Sequence, residues 1–359
     1  MQLQTSIKST NRPFVIAGPC SIETEEQLFS VVRDLSKNPM IKMIRGGIWK
    51  PRTRPDSFEG IGAIGLPWIQ AVKKEISLPF CIEVATPKHV EAALNAGIDA
   101  LWIGARTTVN PFAVQDIVDA LKGAEIPILI KNPVNPDVLL WIGAFERFQN
   151  AGLTDLTAVH RGFSIYSHPK YRNVPDWEIP IAFKEHFPDI PLINDPSHIG
   201  GNRQLILEIA QKAMDLDFDG LMIETHPQPE KAWSDSKQQV TPTDLQKILQ
   251  QLVLRNKSEV NYETQLFQFR EVLRQLDDEV FNILAKRMAI CNEIGDFKRE
   301  NNLTILSVNH WKKVVQERLE NASEEKLSAT FIRSLLDAIH QESIRHQNQV
   351  MNKNLHPND

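Results

Sequence analysis

Eight short apolar runs, each cut off by glycine, proline or a charged residue, dominate the first two-thirds of the chain. They are Phe14–Ala17, Met43-Ile44 leading to Arg45, Pro79–Ile82 leading to Glu83, Ala100–Ile103, Ile126–Ile130, Leu156–Val159, Pro191–Ile193 and Gly220–Ile223. Runs this short and this continuously apolar fit parallel strands buried on both faces. Between them stand segments of helical periodicity, among them Glu25 to Ser36, Pro87 to Ala96, Pro111 to Leu121 and Arg203 to Met214. Eight strand–helix units in about 240 residues predict a (β/α)8 TIM barrel, an α/β fold. An open doubly wound sheet is the alternative, but the glycine-rich fingerprint expected after its first strand is missing.

The pattern changes after about Val253. Arg255 to Tyr262 is polar and reads as a linker, dividing the chain into a barrel over residues 1–254 and an all-helical domain over 263–359. Beyond Glu263 proline and glycine nearly vanish. Apolar residues recur there at Leu266, Phe269, Leu273, Leu276, Val280, Ile283, Ile290, Ile294 and Phe297, a spacing that predicts one long amphipathic helix with Gly295 as a tolerated interruption. Asn301-Asn302 marks a break. A second helix is expected from about Val308 to Asn321 and a third from about Glu324 to Val350. A helix of roughly 30 residues or more cannot bury such a stripe alone, so a homodimer through this domain is expected.

In a barrel the residues just after each strand line one mouth, where active sites are built. Here they read, in order, Cys20; Arg45 with Lys50 and Arg52; Glu83; Arg106; Lys131; His160-Arg161; Asp195 with His198; and Glu224 with His226. Any one of the cations Arg45, Lys50, Arg52, Arg106, Lys131 and Arg161 reads equally well as a solvated surface charge. Gathered on one face they repel, unless something anionic sits between them. Two phosphates and a carboxylate would do so, and arginine's planar fork suits both groups. Cys20, His198, Glu224 and Asp235 offer a thiolate, an imidazole and two carboxylates, a donor set for one divalent transition metal. Taken singly, each reads as an ordinary core or hydrogen-bonded residue.

Together these residues carry a resemblance. Ala17-Gly18-Pro19-Cys20-Ser21, Lys50-Pro51-Arg52-Thr53, Ile103-Gly104-Ala105-Arg106, Asp195-Pro196-Ser197-His198, Ile223-Glu224-Thr225-His226-Pro227 and Ser234-Asp235 resemble type I 3-deoxy-D-arabino-heptulosonate 7-phosphate (DAHP) synthases over about residues 12–250. The resemblance implies condensation of phosphoenolpyruvate with erythrose 4-phosphate. It assigns Cys20, His198, Glu224 and Asp235 to the metal, with manganese expected first and iron, cobalt or zinc also compatible. Arg45 and Lys50 fall to the phosphoenolpyruvate carboxylate, and Arg106, Lys131 and Arg161 to its phosphate. Arg52 and Thr53 fall to the aldose phosphate, and Glu83 matches an acidic residue near the bound water. Asp195 joins the substrate-binding set, and Lys50 is the candidate general acid. Arg54 departs from the Ser or Thr that relatives carry, which bears on the geometry of the aldose phosphate site. The rival substrate is a five-carbon aldose phosphate.

In the helical domain Arg287 falls on the apolar seam, and Lys298 lies eleven residues on, about 16 Å along the axis. Ser343 and Gln347 form an i, i+4 pair on the last helix. Spacing alone reads this as an interface with satisfied polar positions. Leu266 through Lys298 and Glu342 through Gln347 resemble the all-helical chorismate mutases over about residues 262–350. The resemblance implies rearrangement of chorismate to prephenate, with Arg270, Arg287, Lys298, Ser343 and Gln347 as site residues and Arg270 reaching into the partner subunit. His310 stands where the family usually has an arginine, which predicts activity with weaker substrate binding, more so at higher pH, and the acid usual near Ser307 or Trp311 is missing. The rival reading makes this domain a dimerising and feedback-sensing module.

Hydrophobic residues make up 42% and charged residues 24% of the chain, with a net charge of −5, so neither nucleic acid nor an anionic membrane is an expected partner. No run approaches the roughly 18 apolar residues of a membrane helix. Met1 to Pro13 lacks the apolar core of a signal peptide, and three sparse cysteines suit a reducing cytoplasm. Fusion of two activities of one biosynthetic route further implies chorismate or prephenate as an allosteric effector of the synthase. An unchanged synthase rate at saturating prephenate would exclude the latter.

Overall fold

In the computed structural model of the chain, all residues are described except 1, 11, 52–56, 167–169, 256–261, 307, 322–325 and 353–359, together with the side chains of 308, 310 and 321. Two compact units divide at residue 257. The N-terminal unit closes eight parallel strands in sequence order into a barrel: β1 (Phe14–Gly18), β2 (Ile41–Arg45), β3 (Phe80–Val84), β4 (Ala100–Ile103), β5 (Ile128–Lys131), β6 (Leu156–His160), β7 (Leu192–Asn194) and β8 (Gly220–Glu224). These are the eight apolar runs of the sequence.

The strands read as unbroken apolar runs because both faces are buried. Phe14, Ile16, Met43, Cys81, Ala100, Trp102, Leu129, Val159, Ile193 and Met222 fill the barrel interior. The alternate residues, such as Val15, Ala17, Ile44, Ile82, Leu101 and Ile130, pack outward in the larger cluster with the helices. Strand closure needs glycine at Gly18: a Cβ there would lie 2.0 Å from the Arg45 carbonyl oxygen.

The barrel floor was not legible in the sequence. A helix Leu3–Ser9 forms in the stretch that reads as a polar N-terminus, and its Leu3 and Ile7 join the interior cluster. Its first amides lack intrahelical partners, and the Asp155 carboxylate accepts from Leu3 N at 2.6 Å and from Gln4 N at 2.9 Å. Asp155 directly precedes β6, so the helix lies at the end of the barrel opposite the Arg45, Lys131 and Glu224 side chains that end their strands.

Among the described residues the C-terminal unit has three helices, Glu263–Glu300, Val308–Asn321 and Ala329–Met351. The third starts later than the periodicity suggests: Lys326 takes a positive φ of 56°, and Ser328 caps Ala329–Met351 by accepting from Phe331 N. The first and third helices run parallel, since Arg287, Asn292 and Lys298 meet Ser343, His346 and Gln347 in that order. Gly295 sits where the two helices pack tightly: an added Cβ would meet Gln347 Cα at 3.1 Å and Val350 Cβ at 3.3 Å. No helix among the described residues is long and apolar enough to cross a membrane.

Candidate active site

The strand ends place charged side chains around one cavity lined by Arg45, Lys50, Glu83, Arg106, Lys131, Arg161, Arg172, His198 and Asp235, among others. Five of the six cations singled out in the sequence line it. The sixth, Arg52, lies with Thr53 and Arg54 outside the described residues. Cys20, Asp195 and Glu224 are buried beside it.

Two buried ion pairs organise the mouth. Arg45 Nη2, at the end of β2, lies 3.1 Å from Glu224 Oε1 at the end of β8. Lys131 Nζ, at the end of β5, donates to Asp195 Oδ2 at 2.7 Å. Asp195 also caps the short helix Pro196–Gly200, accepting from His198 N, and its Oδ2 lies 2.8 Å from His198 Nδ1. Burial alone would push this carboxyl up, but His198, Lys131 and Arg45 hold it well below the usual carboxylate range. Asp195 thus fixes Lys131 and His198 in place. Arg161 is buried, and desolvation lowers its pKa to about 10, so it stays cationic at neutral pH. Its Nη1 donates to Asn173 Oδ1 at 2.7 Å.

Sequence reasoning missed Arg172. It lies in the loop eleven residues past Arg161, outside any strand end, yet it lines the cavity. Its Nη1 donates to Asp235 Oδ1 at 2.8 Å and to Gln238 Oε1 at 2.6 Å, and Gln238 Nε2 passes the chain on to Glu224 Oε2 at 2.6 Å. His226 instead faces Glu23, with Nε2 3.4 Å from Oε2. Trp102 was read only as part of a strand; it lies beneath Arg45 and Lys131.

The four residues assigned to a metal stand as two pairs. Cys20 Sγ is 3.1 Å from Asp235 Oδ2, and His198 Nε2 is 3.7 Å from Glu224 Oε1. Among the described residues no three such side chains converge on one point. Cations hold the donors instead: Lys50 Nζ is 2.6 Å from Cys20 Sγ, and Arg45 stands against Glu224. Burial, with Glu224 next, pushes the Cys20 thiol up to about 12, and burial pushes the His198 imidazole down. The set still fits a divalent cation in its chemistry. It mixes sulfur, nitrogen and oxygen donors, and the buried Glu224 Oε1 has no hydrogen-bond partner among the described residues.

In the helical unit Arg287 Nη1 donates to Ser343 Oγ, and Lys298 Nζ donates to Gln347 Oε1 at 3.1 Å. Ser343 and Gln347 are buried, so both cations lean toward the last helix. Trp311 stacks on His340 at 3.9 Å. The side chain of His310 lies outside the described ones. Arg270 is exposed and seventeen residues before Arg287, about 25 Å along the helix.

Comparisons with known proteins agree with this division. The family model for the DAHP synthetase I family matches residues 2–260, and that for chorismate mutase type II matches residues 269–348. A phospho-2-dehydro-3-deoxyheptonate aldolase of Thermotoga maritima is 30% identical over 242 residues, covering 66% of this chain and 68% of its own length. A 2-dehydro-3-deoxyphosphooctonate aldolase of Synechococcus is 27% identical over 68% of this chain and 90% of its own. The solved structure of the Thermotoga maritima DAHP synthase superposes with a TM-score of 0.60 at 28% identity, covering 66% of this chain and 67% of that one. The chain therefore belongs to the DAHP synthetase I family and carries a chorismate mutase type II domain behind its barrel.

Proposed function

We propose that the barrel condenses phosphoenolpyruvate with erythrose 4-phosphate to give DAHP and phosphate, and that the helical unit rearranges chorismate to prephenate. The observation that carries the first reading is the cavity where Arg45, Lys50, Arg106, Lys131, Arg161 and Arg172 face one small space. So many cations in one cavity suit a ligand that carries a carboxylate and phosphates.

Arg45 and Lys50 hold the phosphoenolpyruvate carboxylate, while Arg106, Lys131 and Arg161 hold its phosphate. This aims carbon 3 at the aldehyde. As the carbon–carbon bond forms, Lys50 delivers a proton to the aldehyde oxygen. Positive charge develops at carbon 2, a water adds there, and Glu83 takes up its proton. The resulting hemiketal phosphate collapses and expels inorganic phosphate. Synthases of this family are generally metal-dependent. Cys20, His198, Glu224 and Asp235 would hold a divalent cation, manganese first and iron, cobalt or zinc next, supplying Lewis-acid polarisation of the aldehyde.

In the mutase no covalent catalysis is needed. Arg287, with Arg270 from a second copy, clamps the two carboxylates in a compact conformer, and Lys298 and Gln347 stabilise charge on the breaking ether oxygen. A homodimer is supported by the exposed apolar residues Phe269, Leu273, Leu276, Val280, Ile283 and Phe297 along the long helix. It is supported too by the distance of Arg270 from Arg287 in its own chain.

The aldose is settled by competition. With erythrose 4-phosphate and arabinose 5-phosphate present together, we expect the four-carbon aldose to be consumed with at least a tenfold higher kcat/KM, about 1.4 kcal/mol of discrimination. Equal or inverted consumption would transfer the barrel to the five-carbon reaction.

A further inference from the structure

Trp102, on β4, is 1% exposed and belongs to the interior cluster of the barrel. It faces Leu129 across the β4–β5 ladder, and both side chains fill the same interior. The indole does something bulk cannot. Arg45 Cζ lies 4.9 Å and Lys131 Nζ 5.7 Å from its ring centroid, both inside the range of a cation–π contact. Each of these cations is half of a buried ion pair, with Glu224 and Asp195, so the ring lies against both pairs. Three buried donor nitrogens here, Trp102 Nε1 and Arg45 Nε and Nη1, have no acceptor among the described residues. Buried donors left unpaired fit a site whose acceptors arrive with an anionic ligand.

We propose that Trp102 is a positioning residue of the phosphoenolpyruvate site, its ring face holding the Arg45 guanidinium and the Lys131 ammonium where they grip the bound anion. This rests on the assignment of that cavity to phosphoenolpyruvate. The negative face of the indole offsets the repulsion between two desolvated cations and fixes them before the ligand enters.

The test is steady-state phosphate release by the full chain, with each substrate varied in turn. Trp102→Leu removes the ring face, and its KM for phosphoenolpyruvate should rise about thirtyfold or more, while the KM for erythrose 4-phosphate stays within about twofold. Trp102→Phe keeps a weaker face and should rise only about threefold. A parallel rise in both KM values would mark Trp102 as packing alone and overturn the proposal, as would a Phe variant as impaired as the Leu variant. If the Leu variant does not fold, an unchanged phosphoenolpyruvate KM in the Phe variant overturns it just as well. Wild-type chain that consumes no phosphoenolpyruvate would instead sink the assignment of the cavity itself.

Discussion

Arg287→Ala and Arg270→Ala should each cut mutase turnover by about a hundredfold to a thousandfold, the usual cost of one preorganised charge donor. Synthase turnover should stay within about twofold of wild type, because neither residue belongs to the barrel unit. Arg287 donates to the buried Ser343 and stands on the same helix as Lys298, so its loss opens the site from within. Arg270 acts differently. It lies about 25 Å before Arg287 on a continuous helix, too far for one side chain to bridge. If it completes the site of a second copy, the two inactive variants complement each other. Random pairing on co-expression makes half the dimers mixed, and each mixed dimer has one intact site. About a quarter of the wild-type rate should return. Absence of recovery in a preparation shown to contain mixed dimers would mean Arg270 serves its own chain or no site.

Lys131→Met should be costly twice over. It removes a cation from the cavity, which should lower synthase kcat/KM by about a hundredfold or more. It also leaves the buried Asp195 carboxylate with His198 but without its ammonium partner at 2.7 Å, and breaking such a pair costs about 3–5 kcal/mol of barrel stability. Adding Asp195→Asn should return most of that stability and none of the activity. Denaturant unfolding and initial rates on the single and double variants separate the effects. A single variant as stable as wild type would show that Lys131 and Asp195 are not paired in solution.

The barrel was legible because its physics is periodic. Eight strands buried on both faces are largely apolar, and a charged residue that closes such a run marks the mouth, so Arg45, Lys131 and Glu224 could be placed at strand ends from spacing alone. What escaped depends on contacts between distant segments. The floor helix has only Leu3 and Ile7 to mark it, and the carboxylate that receives its amides is more than 150 residues away. Arg172 reaches the cavity from the middle of a loop, with no periodicity to announce it. Trp102 looks like any core strand residue until the cations above it are seen. Gly295 reads as a weakness in a long helix, yet the last helix packs against it too tightly for an added Cβ. The start of that helix was set by a Ser328 cap that apolar spacing does not report.

The most direct measurement follows both reactions in one preparation, before and after exhaustive treatment with a divalent-metal chelator. Phosphate release from phosphoenolpyruvate and erythrose 4-phosphate should fall to about 1% or less and return on adding manganese, while chorismate loss continues unchanged. Undiminished phosphate release from metal-stripped protein, or loss of both activities together, would contradict two independent sites of which only the barrel's needs a metal.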